Sequence, residues 1–324
     1  MAGKILAGAI LIAASALILQ PSAVAQSYPD RPVRIIVAFP AGGTLDTLAR
    51  IIAQKLGDTW GQSVLVENRP GAGGNIGAAS AARAAPDGYT LHFGAQSLAV
   101  NVTISPYEGF DPVRDFDPII LVGTAQDVLM VPASSPFNSV SELIAYAKAH
   151  PGRLNYASLG PGTSAYLATA LFSELAGIKM QNVSYSSLAQ AATDLMSGQV
   201  SLFIPTLGGH IGNIKSGRIR ALAVSGATRA EQLPDVPTFK ELGVPFVEET
   251  SWYGIYAPKG TPREIIVQVN HEVGRILANP EVRERTAVLG FRLLGGSPEK
   301  LGAMLHDEID KWAQLAKNGS IEIK

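Results

Sequence analysis

The chain has 324 residues, 47% hydrophobic and 16% charged, which is enough for two domains with cores of their own and is far from the composition of a disordered chain. Its formal net charge of -1, with 26 basic residues that never gather into a run, excludes a nucleic-acid footprint and gives no polyanion a partner surface. Cysteine is absent, so there is no disulfide framework, thiolate metal site or cysteine-linked lipid anchor.

The N-terminus reads as a leader. Lys4 precedes the apolar run Ile5–Leu19, Gln20-Pro21 breaks it, and Ala23-Val24-Ala25 has the small-x-small pattern of a signal-peptidase site. The run is shorter than the roughly 20 apolar residues of a spanning helix. Residues 1–25 are therefore expected to be a signal peptide cleaved after Ala25, with Gln26 opening the mature chain in a bacterial periplasm.

From Pro32 to about Leu121, short β-rich runs alternate with longer helical ones. The pattern predicts strands over Val33–Ala38, Val64–Glu67 and Thr90–Phe93, with helices over Leu45–Leu56 and Gly77–Ala84 between them. That βαβαβ order implies a parallel sheet covered by helices. A second stretch predicts strands over Val128–Val131, Leu154–Ser158, Val200–Ile204 and Ala221–Val224. Its helices are expected over Val140–His150 (with Ser139 or Ser141 near the cap), Ser164–Ala176 (stopped by Gly177) and Ala189–Ser197. A third begins with the strand Ser251–Ala257, followed by Thr261 as cap, Pro262 as first helical residue and a long amphipathic helix to about Leu277. Ile119–Val122 and Trp252–Ala257 are the expected crossings between two lobes, whose strand ends would face each other across a cleft able to close on a ligand.

Three Gly-rich segments, Ala41–Thr44, Pro70–Gly77 and Leu159–Ser164, each lie between a predicted strand and a predicted helix. Helix starts offer unpaired N–H groups and a positive dipole end to anions, although a glycine pair after a strand is often no more than a tight turn. Nucleotide motifs fail on spacing: Asn75 and Ile76 follow Gly74 where a P-loop needs Lys and Ser or Thr, and Ile76 stands where the dinucleotide fingerprint needs its last glycine. Hydrolytic motifs fail too, because there is no Gly-x-Ser-x-Gly elbow and His271-Glu272 lacks the second zinc-site histidine. Asp46 is expected to hydrogen-bond loop amides near the positive end of its helix rather than to act as a base. What remains is a pair of anion cradles, Gly42-Gly43-Thr44 and Gly162-Thr163-Ser164, suited to a carboxylate at each end of a small molecule and built mainly from neutral donors.

The segments FPAGGTLDTLAR, VLVENRPGAGGNIG, PDGYTL, LNYASLGPGTSAYLATALF, ALAVSGATR, LPDVPTF, SWYGIYAPKGTP and ANPEVRERTAVLGF occur in this order across residues 28–318. Together they resemble the Bug-type receptors of tripartite tricarboxylate transporters. The resemblance implies an α/β, two-lobed periplasmic binding protein of type II (Venus-flytrap), each lobe a mainly parallel sheet flanked by helices. Residues 26–123 with 251–324 would form lobe I and 124–250 lobe II. It also implies capture of an organic carboxylate without catalysis or cofactor, by a monomer that delivers it to a membrane permease or presents its closed form to a sensor kinase. In that family the loops matching Phe39–Asp46 and Ser158–Tyr166 hold the ligand carboxylates. The expected ligand-binding set is Phe39, Ala41, Gly42, Gly43, Thr44, Leu45, Asp46, Gly74, Asn75, Gln96, Ser97, Ser158, Leu159, Gly160, Thr163, Ser164, Tyr166, Tyr185, Ile204 and Pro205.

This sequence departs from the family pattern at Ser186, where a lysine is common, at Pro205, where an aspartate is common, and at Leu45, where Thr or Asn is common. Loss of side-chain acceptors and gain of apolar surface from Phe39, Leu45, Leu159 and Ile204 favour a dicarboxylate with an apolar or aromatic body over citrate or aspartate.

Overall fold

A computed structural model describes residues 28–244 and 251–317. The expected leader lies outside the described residues. In chain order the elements are β1 (Val33–Val37), α1 (Thr44–Trp60), β2 (Val64–Asn68), α2 (Asn75–Ala82), β3 (Thr90–Ala95), α3 (Ser97–Ile104) and β4 (Phe116–Ala125). Next come β5 (Val128–Pro132), α4 (Val140–Ala149), β6 (Asn155–Ser158), α5 (Ser164–Ala176), β7 (Gln181–Ser184), α6 (Leu188–Met196), β8 (Leu202–Phe203), α7 (Ile211–Lys215) and β9 (Ile219–Val224). The chain then returns through β10 (Ser251–Pro258), α8 (Arg263–Ala278), α9 (Pro280–Ala287), β11 (Phe291–Leu293) and α10 (Pro298–Lys317).

Two sheets result, one per lobe, with strand orders β11-β4-β10-β3-β1-β2 and β7-β6-β8-β5-β9. Each is mixed rather than mainly parallel. The βαβ units give parallel pairs, β1 with β2 and β3, and β6 with β7 and β8. The strands next to the passage between lobes come back the other way, so β10 runs antiparallel to β3 and β4, and β5 antiparallel to β8 and β9. Ile119–Val122 and Trp252–Ala257 therefore belong wholly to the first sheet, and the chain enters the second through Gln126-Asp127.

Helices on both faces explain why the central strands are buried at every residue, as in β5 and β10. The two-residue period of a strand sends Leu129 and Val131 into one apolar cluster of the second lobe and Val128 and Met130 into another on the opposite face. The first lobe packs Phe116, Leu121, Trp252 and Tyr256 against Leu301 and Leu305 of α10. α5 ends where expected because Gly177 adopts the left-handed cap at φ 63°. The cap of α8 is displaced by one residue: Pro262 occupies it, while the Thr261 hydroxyl donates to the Pro258 carbonyl at 2.8 Å and closes a turn instead.

Candidate functional site

The carboxyl ends of β1, β3, β6 and β8 meet at a cavity of about 260 Å³ between the two sheets. From the first lobe it is lined by the β1–α1 loop with the start of α1, by Ala95–Ser97 between β3 and α3, and by Ser251–Tyr253 of β10. The second lobe contributes Leu159, the start of α5 from Thr163 to Ala165 with Leu167, Ser187–Ala189 at the start of α6, and Pro205-Thr206 after β8.

Four helix starts thus open into one space. The N–H groups that open α1 and α5 have no preceding carbonyl to bond; in α3 the Ala99 N–H turns back to Gln96 C=O at 2.9 Å and in α6 the Gln190 N–H is taken by Ser187 Oγ, which leaves the earlier N–H groups of those two starts. Together they make an electropositive lining without a cationic side chain. Asp46 is the single carboxylate on the wall, and it is engaged. Its Oδ2 accepts from Gly42 N–H at 2.9 Å and Arg50 Nε at 3.0 Å, and its Oδ1 from Asn68 Nδ2 at 2.9 Å. Burial pushes this carboxyl up, but the hydrogen bonds from Arg50, Gly42 and Asn68 outweigh it and hold it below its usual value. Asp46 therefore shapes the loop and, in doing so, uses the Gly42 amide; Gly43, Thr44 and Leu45 remain as the donors of that cradle.

The opposite cradle is also built differently from expectation. The Thr163 hydroxyl donates to Gly160 C=O at 2.6 Å, so its proton staples the loop, and the helix-start N–H groups with the Ser164 side chain are what face the cavity.

Thirteen of the twenty expected residues line the cavity: Phe39, Ala41, Gly42, Gly43, Thr44, Leu45, Asp46, Gln96, Ser97, Leu159, Thr163, Ser164 and Pro205. Seven do not. Gly74 and Asn75 border a separate recess of about 10 Å³, where Asn75 is tied to Ser105 C=O and Asn101. Ser158 is fully buried, donating to Asn182 Oδ1 and accepting from Gly160 N–H. Gly160 supplies the carbonyl that Thr163 takes, and Tyr166 packs against the apolar clusters beside α5. The Tyr185 hydroxyl donates to Asp194 Oδ2, and Ile204 is buried inside the second lobe's core. Sequence reasoning missed the floor, Ser251-Trp252-Tyr253, and the α6 start. The latter carried a signal: Ser187-Leu188-Ala189-Gln190 has the capping-box pattern, of which one bond forms, Ser187 Oγ accepting from Gln190 N–H, while the Gln190 side chain goes to Asp194.

The two walls touch. Thr44 Oγ1 and Thr206 Oγ1 lie 3.0 Å apart across the cavity, and Gly73 packs against Pro161 and Gly162 at the rim.

Among known proteins, the family described as "Tripartite tricarboxylate transporter family receptor" matches residues 48–321. Protein BugT of Bordetella pertussis is 36% identical over 302 residues, covering 93% of each chain. The solved structure of R. palustris Rpa4515 with adipate is similar at 37% identity and a TM-score of 0.84, over 90% of this chain and 97% of that one. MatC (Rpa3494) from Rhodopseudomonas palustris with bound malate is similar at 32% identity and a TM-score of 0.82, over 89% and 99%.

Proposed function

This chain belongs to the tripartite tricarboxylate transporter receptors, the Bug-type periplasmic solute-binding proteins rather than enzymes, and on that premise we propose that it captures an organic dicarboxylate with an apolar or aromatic body and delivers it to a membrane permease. The observation that carries the reading is the lining itself. Four helix starts supply neutral donors for carboxylates, while Phe39, Leu45, Leu159, Leu167 and Leu188 offer apolar surface, each buried solute CH₂ being worth about 0.8 kcal/mol. An ammonium-bearing solute finds no free carboxylate there, because Asp46 is engaged on both oxygens. Adipate in the Rpa4515 structure supports a solute of this kind, and malate in MatC marks a shorter, more polar alternative within the family. The residues proposed to bind are the cavity-lining ones, in lobes bounded at 26–123 with 251–324 and at 124–250.

Thermal unfolding of refolded, ligand-stripped protein with adipate, terephthalate, citrate and aspartate tests this. A true ligand at about 100 times its dissociation constant adds roughly 2.7 kcal/mol. The apolar-bodied acids are expected to give the larger shifts; stronger stabilisation by citrate or aspartate than by either would refute the proposed body.

We also propose export with removal of residues 1–25, which the leader pattern and the periplasmic family support. Mass spectrometry of protein from the periplasm is expected to find Gln26 at the N-terminus, and a retained Met1 would overturn it.

A further inference from the structure

We infer that Glu308 is a positioning residue for the solute site: it holds the Gln96 carboxamide with its oxygen toward the cavity, so that this wall accepts a hydrogen bond and favours an acid whose body carries a hydroxyl. This rests on the receptor reading above and deepens it.

Gln96 is 4% exposed, lines the cavity, and has its backbone pinned by donation to Trp252 C=O at 3.1 Å. Its Nε2 donates to Glu308 Oε1 at 2.9 Å. A carboxylate accepts and does not donate, so chemistry alone requires the NH₂ half of the carboxamide to face it. The same carboxylate oxygen receives Trp312 Nε1 at 2.6 Å and Lys311 Nζ at 2.5 Å, all on or beside one turn of α10. Lys311 balances the charge, and Trp312 anchors the carboxylate from the apolar side, so Glu308 has no freedom to release Gln96. Rotating the carboxamide would set its oxygen against a carboxylate and leave the buried acceptor short of a donor, which is costly at such depth.

Among the described residues no donor reaches the carboxamide oxygen, and with Nε2 turned to Glu308 the remaining polar half of this cavity-lining side chain is that oxygen. Its polarity is opposite to that of the helix starts around it. A solute carboxylate placed there would meet a second acceptor and is driven to the helix ends instead. An ammonium would gain a neutral oxygen but no counter-charge, which does not offset its desolvation. A hydroxyl fits both requirements: it is neutral and it donates.

Calorimetry with two matched sets tests this: isophthalate against 5-hydroxyisophthalate, and adipate against 2- and 3-hydroxyadipate. The readout is the ratio of affinities within a set rather than either affinity. Wild type is expected to bind the best hydroxylated acid about 3–10-fold more tightly than its parent, the range of one neutral hydrogen bond. Glu308→Gln keeps an acceptor oxygen facing Gln96 and is expected to keep the ratio. Glu308→Met and Gln96→Met are expected to bring it to about one. A Glu308 that served only to seat α10 would lower the melting temperature in Glu308→Met and leave the ratio intact, which overturns the inference. So does a wild type that binds every hydroxylated acid no better than its parent, or a ratio that survives Gln96→Met. If no acid of either set binds the wild type, the reading of an apolar-bodied dicarboxylate falls and takes this inference with it.

Discussion

Replacing Asp127 by asparagine is expected to remove a fall in stability on the order of 2 kcal/mol that the raised carboxyl imposes on the wild type as pH rises from about 6.5 to about 8. Asp127 sits at the passage between the lobes with no exposed surface. Ser251 Oγ donates to its Oδ1 at 3.2 Å, its Oδ2 has no partner, and no cation pairs with it among the described residues. Burial pushes its carboxyl up to about 8, against a slighter pull down from Ser251. The neighbouring Tyr253 hydroxyl is itself pushed up by burial and by the Asp127 charge, so it stays neutral across this range. An acid whose folded-state value is raised binds its proton in the native state and loses it on unfolding, so it contributes stability at low pH that disappears as pH rises through about 8.

Two histidines act in the opposite sense. Burial lowers His92 and His210 to about 4 each, so both are neutral in the fold and take protons on unfolding below about 6.5. Between pH 4 and 6.5 the unfolded state gains two protons on the histidines while the native state keeps one on Asp127, and stability rises with pH. Above 6.5 only Asp127 contributes, and stability falls. The wild type should therefore peak near pH 6.5, and Asp127→Asn should hold a plateau to pH 9. Urea titrations from pH 5 to 9 measure this; a falling alkaline limb of unchanged slope in the variant would assign it to another group.

Gly162→Ala is expected to weaken solute affinity by about 10–100-fold while leaving the protein folded, and to increase its radius of gyration in the presence of saturating acid. The residue stands at φ 78°, and a Cβ there would lie 2.3 Å from Asn101 Oδ1 on the other lobe. Asn101 is 4% exposed, and its Nδ2 already donates to Gly73 C=O and Asn75 Oδ1, so it does not move aside without breaking two hydrogen bonds. Separating the lobes relieves the clash, which penalises the closed form by about 1.4 kcal/mol for each tenfold lost. The three atoms nearest the added methyl all belong to Asn101, so the main clash lies between the lobes, and the left-handed backbone itself costs only about 1–2 kcal/mol. Titration calorimetry with the best acid of the panel, paired with small-angle scattering, is the check. Unchanged affinity and compactness would mean that the rim does not govern closure.

These two sites show which parts of the molecule were readable in the sequence. Elements with local punctuation were legible: α5 was bounded by its glycine-rich entry and Gly177, and the first strand-loop-helix unit carried the Gly42-Gly43-Thr44 cradle, whereas Gln96 and Ser97 entered only through the family resemblance. Side-chain direction in short strands was not. Ile204 follows a two-residue β8, too short for its alternation to declare a face, and it turns into the core. Sheet direction failed for a related reason, since β10 pairs with strands more than a hundred residues earlier and nothing local records the sense of that pairing. The partners that decide the site's chemistry are the least visible. Thr44 meets Thr206, Asp127 meets Ser251 and Gln96 meets Glu308 across separations of 162, 124 and 212 residues.

The last of those pairings bears on the order in which the molecule becomes competent. A polypeptide is made from its N-terminal end, and here the β1, α1, α5 and α6 portions of the cavity precede β10 and α10. Until residue 312 has followed and Glu308 has seated between Lys311 and Trp312, the Gln96 carboxamide is free to turn either way. Because β10 lies between β3 and β4 and supplies the floor Ser251-Trp252-Tyr253, the cavity and the partner that orients this carboxamide are completed together, by the C-terminal part of the chain.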